Sequence, residues 1–252
     1  MTPPDRVTYV GHATTLVELD GVRLLTDPIL RSRVGPLRRH GPPPPPGLTD
    51  DLGAVLVSHL HHDHADLPSL RRLDRDVPLL VAPRAGWFFA RRGFTSVTEL
   101  APGDSVKIGE VTVTATEAMH PTERRLERDS GAIGFLLAGS SRRVYFAGDT
   151  DLFDGMAELG EDLDLALLPI WGWGPSIGTG HLDPERAARA AAMLRPRIAV
   201  PIHWGTLYPL GLARLRPEPL RAPPREFAAW MTELAPQVEA WVLAAGESAS
   251  LA

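Results

Sequence analysis

Between Ala54 and Val57 the chain is apolar, and one residue after Ser58 it reads His59-Leu60-His61-His62-Asp63-His64. Four of the nine histidines of the sequence fall within these six positions. A short apolar run rich in β-branched residues reads as a buried strand. Along a strand, side chains two apart share a face, so His59 and His61 can converge where the strand ends. The chain then turns, and Asp63 and His64 can face a second point. Imidazole nitrogen and carboxylate oxygen suit zinc at about 2.0–2.2 Å, and manganese and iron tolerate the same donors. The pattern predicts a strand that presents metal ligands from its carboxyl end. An exposed loop that is merely rich in histidine is the alternative, and the clustering at a strand exit argues against it.

Cysteine is absent, so disulfides, thiolate nucleophiles and zinc-finger sites are excluded and any metal is held by nitrogen and oxygen. The 252 residues carry 26 basic and 31 acidic side chains, a formal charge of −5. That balance argues against broad polyanion binding, and no nucleic-acid partner is expected. No run approaches the ~18 apolar residues of a membrane span. The opening Met1-Thr2-Pro3-Pro4-Asp5 has neither the basic nor the apolar region of a signal peptide. A cytoplasmic location and a single domain over residues 1–252 are the expectations, with self-association left open.

Strand-like runs occur at residues 7–10, 14–18, 22–26, 54–58, 79–82, 111–116, 133–138, 143–147, 165–170, 198–202 and 238–243. Asp183-Pro184-Glu185 offers an N-cap, a proline at the first helical position and an acid in the first turn, predicting a helix to about Leu194. After Pro223-Pro224, the positions of Phe227, Trp230, Met231 and Leu234 follow helical spacing. Shorter helices are predicted over 69–73 and 85–92. The run Pro42 to Pro46, between Gly41 and Gly47, reads as an extended surface loop. An α/β chain results.

The motif H-x-H-x-D-H resembles the signature of the metallo-β-lactamase superfamily. Further blocks resemble one branch of it, which includes N-acylphosphatidylethanolamine-hydrolysing phospholipase D and ascorbate-6-phosphate lactonase-like proteins, the phospholipase-like subset being the closer match. These blocks are Gly11-His12-Ala13-Thr14, Leu25-Thr26-Asp27-Pro28, Tyr145-Phe146-Ala147-Gly148-Asp149-Thr150, Leu168-Pro169-Ile170, His181-Leu182-Asp183-Pro184-Glu185 and Ile202-His203-Trp204-Gly205-Thr206. The resemblance implies a four-layer αββα sandwich with a dinuclear site at one edge between the sheets. It implies two divalent ions, zinc first and manganese or iron next. One would be held by His59, His61 and His120 and the other by Asp63, His64 and His203, with Asp149 bridging. Asp63 and Asp149 would then position the nucleophile, and His181 would bind a substrate oxygen or protonate the leaving group. The implied activity is hydrolysis of a phosphodiester in a small or lipid-like substrate. Lactone or carboxylic-ester hydrolysis at the same site is the alternative, and a metal-binding regulatory module without turnover is a third reading.

Several nearby residues carry two readings each. Asp27 either orients a ligand imidazole or forms a turn before Pro28. Asp66 either does the same or caps the helix after it, and His12 either supports a ligand or packs. His40 and His62 read as exposed. Trp171-Gly172-Trp173-Gly174-Pro175 suits a flat pocket wall or buried loop packing, and Trp87-Phe88-Phe89 reads as helix core. After His120, Pro121-Thr122-Glu123 departs from the pattern of the phospholipase subset, which bears on the neighbouring pocket wall.

Overall fold

A computed structural model describes residues 4–121 and 130–251; Thr122 and Glu123 lie outside the described residues. There are two seven-stranded sheets and a small third one. The first sheet runs in space through Glu247–Ser250, Arg6–Gly11, Thr14–Leu19, Val22–Thr26, Ala54–Val57, Leu79–Val81 and Val97–Glu99. The second runs through Glu239–Ala240, Ile198–Ile202, Leu165–Pro169, Arg143–Phe146, Ile133–Ala138, Val111–Glu117 and Ser105–Ile108. Followed along the chain, each starts with an antiparallel meander and continues with parallel strands.

Side-chain alternation sorts the apolar residues into layers. In Leu165–Pro169, Leu165 and Leu167 enter the core shared by both sheets. Ala166 and Leu168 face the opposite way, into a core packed by the helices Pro184–Leu194 and Ala222–Leu234. In Ala54–Val57, Ala54 and Leu56 point into the shared core. Val55 and Val57 point outward beneath the helices Leu67–Leu70 and Gly86–Ala90. Strands covered on both faces read as unbroken apolar runs, which is why these were visible in the sequence. A fully enclosed leucine such as Leu167 contributes about 1.5–3 kcal/mol by leaving water. Helix, sheet, sheet, helix is the αββα sandwich.

The helix Pro184–Leu194 starts where its cap predicts, with Asp183 Oδ1 accepting from the Arg186 N–H at 2.8 Å. Its sheet-facing side is mostly alanine, with Ala187, Ala188, Ala190 and Ala191 all buried, so the helix lies close to the strands. In Ala222–Leu234, Phe227 and Met231 are buried, and Trp230 and Leu234 pack at the margin. Pro42 to Pro46 lies outside any helix or strand.

Some elements differ from the sequence expectation. Among the described residues, the run 238–243 pairs as a strand at Glu239–Ala240, against Ile198 and Ala199. The helix expected over 69–73 instead occupies Leu67–Leu70, because Asp66 caps it and so fixes its start, and the one expected over 85–92 contracts to Gly86–Ala90; Phe88 and Phe89 are core, but Trp87 is 37% exposed. A three-stranded sheet of Arg33–Val34, Leu37–Arg39 and Leu207–Pro209 adds to the strands that the sequence predicts. Its strands are two or three residues long, below the length at which alternation can be read. Among the described residues, no helix is long and apolar enough to cross a membrane.

Candidate metal centre

The carboxyl ends of the parallel strands bring the polar residues of interest to one edge. Ala54–Val57 leads into His59 to His64, Arg143–Phe146 into Asp149, and Ile198–Ile202 into His203, while His120 follows Val111–Glu117. His61 Nδ1 stands 2.9 Å from His59 Nε2 and 3.1 Å from His120 Nε2. Alongside, His64 Nε2 is 3.0 Å from His203 Nε2. Asp149 reaches both of these rings, with Oδ2 3.2 Å from His64 and Oδ1 3.3 Å from His203. Asp63 Oδ2 lies 3.7 and 3.8 Å from the same two nitrogens. The seven residues expected as ligands therefore come together, in clusters whose donor atoms lie within 4.8 Å of one another.

The outward nitrogens determine what the inward ones can do. His203 Nδ1 donates to the Trp171 carbonyl at 2.7 Å, and His120 Nδ1 to the Gly180 carbonyl at 2.8 Å. His64 Nδ1 donates to Asp27 Oδ2 at 2.7 Å. The Ser58 hydroxyl donates to the same Asp27 oxygen at 2.6 Å and accepts from His59 Nδ1 at 3.0 Å. A neutral imidazole that donates through one nitrogen offers a lone pair at the other. The Nε2 atoms of His59, His120 and His203 thus turn lone pairs into the site, and His64 Nε2 joins them when that ring is neutral, an arrangement that a bound cation satisfies. Asp149 Oδ1 is buried without a hydrogen-bond partner. This donor set fits a divalent ion of intermediate softness.

Ionisation follows the same geometry. Burial holds His59 well below the usual imidazole range, lowers His120, and brings His203 to about 3. Burial also opposes charge on Asp63 and Asp149, but the facing imidazoles outweigh it and keep both carboxylates well below their ordinary range. For His64 and His181 burial is outweighed in the other direction. Asp149, Asp27 and Asp63 raise His64, and the Asp149 contact raises His181. In metal-free protein, three depressed histidines stay neutral where the unfolded chain protonates, so their contribution to stability is full above about pH 6.5 and falls as the pH drops below it. Each adds a slope of up to about 1.4 kcal/mol per pH unit. Denaturant titration of chelator-treated protein should therefore show a midpoint that declines from pH 6.5 to 4.5. A flat profile over that window would mean that these rings are not held neutral.

Backbone shape sets the approach distances. Gly148 has φ +61°, and a Cβ there would stand 2.8 Å from Ser58 Cβ, so only glycine brings Asp149 this close to the His59 loop. Gly180 has φ +75°, and a Cβ there would collide with Pro121 and press on His120. His12, Asp27 and His203 also adopt positive φ, at 57°, 34° and 63°, a conformation retained mainly where surroundings impose it.

The residues with two readings now separate. Asp27 orients His64. Asp66 caps the helix Leu67–Leu70 by accepting from the Ser69 N–H and binds Arg31 through both oxygens. His12 is fully buried, with its Nε2 3.0 Å from Asp63 Oδ2 and its ring 3.8 Å from that of His203. The carboxylate is thus gripped from behind, a contact that sequence spacing cannot reveal. His62 is exposed and His40 is half-buried against Tyr208. Trp171 contributes its carbonyl to His203, and Trp173 lines a cavity beside His61, Asp63 and His181. His181 was expected outside the ligand set. Its Nε2 lies 3.4 Å from Asp149 Oδ2, and it forms a further possible metal-binding group with His120 and Asp149.

Residues 22–204 match the family described as the Beta-lactamase superfamily domain, and the chain belongs to that family. Its sandwich is the metallo-β-lactamase fold. It is 34% identical over 243 residues to the N-acyl-phosphatidylethanolamine-hydrolyzing phospholipase D 1 of Caenorhabditis elegans, covering 84% of this chain and 67% of that protein. An uncharacterized protein of Mycobacterium tuberculosis is 33% identical, and the match spans only 61% of its length. A UPF0173 metal-dependent hydrolase of Methanopyrus kandleri is 31% identical across 96% of this chain and 98% of its own. Among solved structures, the metallo hydrolase Igni18 of Ignicoccus hospitalis aligns over 98% of both chains with a TM-score of 0.72 at 26% identity. An isothiocyanate hydrolase from Delia radicum gut bacteria reaches a TM-score of 0.75 over 97% of this chain and 98% of its own; at 18% identity it shares the fold.

Proposed function

We propose that this chain, in a family that includes metal-dependent hydrolases, is a dinuclear phosphodiesterase acting on a small or lipid-like substrate. The observation that carries the reading is the pair of adjacent donor sets joined at Asp149, open to a cavity of about 190 Å³. His59, His61 and His120 would hold one ion and Asp63, His64 and His203 the other, with Asp149 shared; zinc is the first choice. Divalent ions in such a site activate water near neutral pH and act as Lewis acids. The protein's own contribution is orientation. Asp27, Ser58 and two backbone carbonyls fix the imidazole tautomers, and His12 fixes Asp63. His181, Trp173 and Ile177 line the cavity, and the half-buried His181 is placed to give a proton to a departing alkoxide. The 34% identity with the worm phospholipase D favours phosphorus as the electrophile over carbon.

Two measurements test this. Elemental analysis of protein expressed with supplementary zinc or manganese should find about two ions per chain. One ion or none in active protein would overturn the dinuclear reading. A rate panel of aryl phosphodiesters, aryl phosphomonoesters, lactones and β-lactams should favour the phosphodiesters. A preference for lactones would move the reaction to carbon at the same site.

A further inference from the structure

Beside the metal cavity lies a larger one of about 400 Å³, within the usual range for small-molecule sites. Asp63 and Trp173 line both, so the two spaces adjoin across the edge of the proposed active site. Its walls are mainly apolar. Val34 and Leu37 come from the small three-stranded sheet, Leu67 and Pro68 from the helix after the histidine loop, and Trp173 from the tryptophan loop. Val34 and Leu37 also form a cluster with Ile29 and Leu207, on which Trp173 packs. The small sheet thus adds an apolar wall to a space that Asp63 and Trp173 join to the metal cavity.

Set into this apolar wall is Arg31. Its Nε and Nη2 fork onto Asp66 at 2.8 and 2.6 Å, and Asp66 is itself buried and committed to its helix cap. The fork leaves Nη1 as the outer edge of a guanidinium whose side chain is 32% exposed. Both carboxylates of the lining are already engaged, Asp66 by Arg31 and Asp63 by His12. A cation fixed in plane on an apolar cavity wall suits a ligand with an apolar body and an acceptor group at its end.

We propose that this cavity receives the apolar part of the substrate and that Arg31 recognises an anionic group, carboxylate or phosphate, at its far end. The inference deepens the hydrolase reading and rests on it for the direction in which the substrate lies. Arg31 is a specificity residue and takes no part in bond cleavage.

Binding, measured by calorimetry on the metal-loaded protein, tests this without turnover. The probes are 6-phenylhexanoate, 6-phenylhexyl phosphate and the neutral 6-phenylhexanol. The anions should bind ~10–100-fold more tightly than the alcohol, and their ratio shows which headgroup the site prefers. Arg31→Gln should erase the difference while leaving the alcohol's affinity unchanged, and Arg31→Lys should keep part of it. Leu67→Trp, which fills the cavity from a partly exposed position while keeping Arg31, should weaken all three probes. An anion preference that survives Arg31→Gln would mean that the ions alone hold the headgroup, and it overturns the proposal. Undiminished binding to Leu67→Trp overturns the placement. Neither result depends on which ester the protein hydrolyses, so a failed rate panel and a failed binding test are distinguishable.

Discussion

Asp149→Asn should reduce turnover by several orders of magnitude and lower metal content, while the fold persists. No other carboxylate in the site stands so close to so many rings, at 3.2 Å from His64, 3.3 Å from His203 and 3.4 Å from His181. Asparagine preserves the volume but supplies no charge, and its amino group would turn a donor toward a nitrogen lone pair or a cation. Neighbours cannot compensate, because Asp63 is already bound to His12 and Asp27 to His64 and Ser58. Gly148 places this one side chain by a backbone geometry that the substitution does not alter. Steady-state kinetics with elemental analysis of the same preparation decides the matter. Near-wild-type turnover with two ions bound would remove Asp149 from the bridging position.

The second large effect is expected at His181. His181→Ala should leave both ions in place and thermal stability nearly unchanged, yet lower kcat by ~10²–10⁴, the usual range for a positioned acid or base. The ring is half-buried at the cavity wall, and its Nδ1 lies 3.2–3.3 Å from the carbonyls of Thr179 and Gly178. Removing it takes away little packing. The loss should shrink for substrates with aryl oxide leaving groups, which depart without a proton. An equal loss for good and poor leaving groups would assign His181 to substrate positioning. Loss of metal in the variant would make it a ligand, in line with its place beside His120 and Asp149.

The fold was legible in the sequence wherever a strand is covered on both faces. Runs such as 165–170 and 198–202 are apolar throughout because Leu165 and Ala166, or Ile198 and Ala199, enter different cores. The histidine loop was legible because His59, His61, Asp63 and His64 lie within six positions. His120, Asp149 and His203 are isolated in the chain, and only the resemblance to a known family linked them to it. Contacts across long separations left no local signal. His12 meets Asp63 across 51 positions and Arg31 meets Asp66 across 35. The small sheet pairs Leu207 with Arg39, a register that no short-range pattern encodes. Asp66 illustrates the limit. Its spacing after the histidines suits support of a ligand ring, whereas its neighbours Leu67 and Pro68 make it a cap.

The donors are divided between the two halves of the sandwich. The first sheet's loop brings His59, His61, Asp63 and His64, and the second sheet's loops bring His120, Asp149 and His203. An ion held by this set would therefore be a rivet between the halves as well as the reagent proposed above. Its binding energy adds to the cohesion of the whole chain by mass action, growing with the logarithm of free metal over its dissociation constant. Neither half alone offers a complete set of ligands, so losing the metal should loosen the seam between the sheets before it unravels either one. Amide exchange would then rise first in the loops at this edge, with the strands behind them still protected.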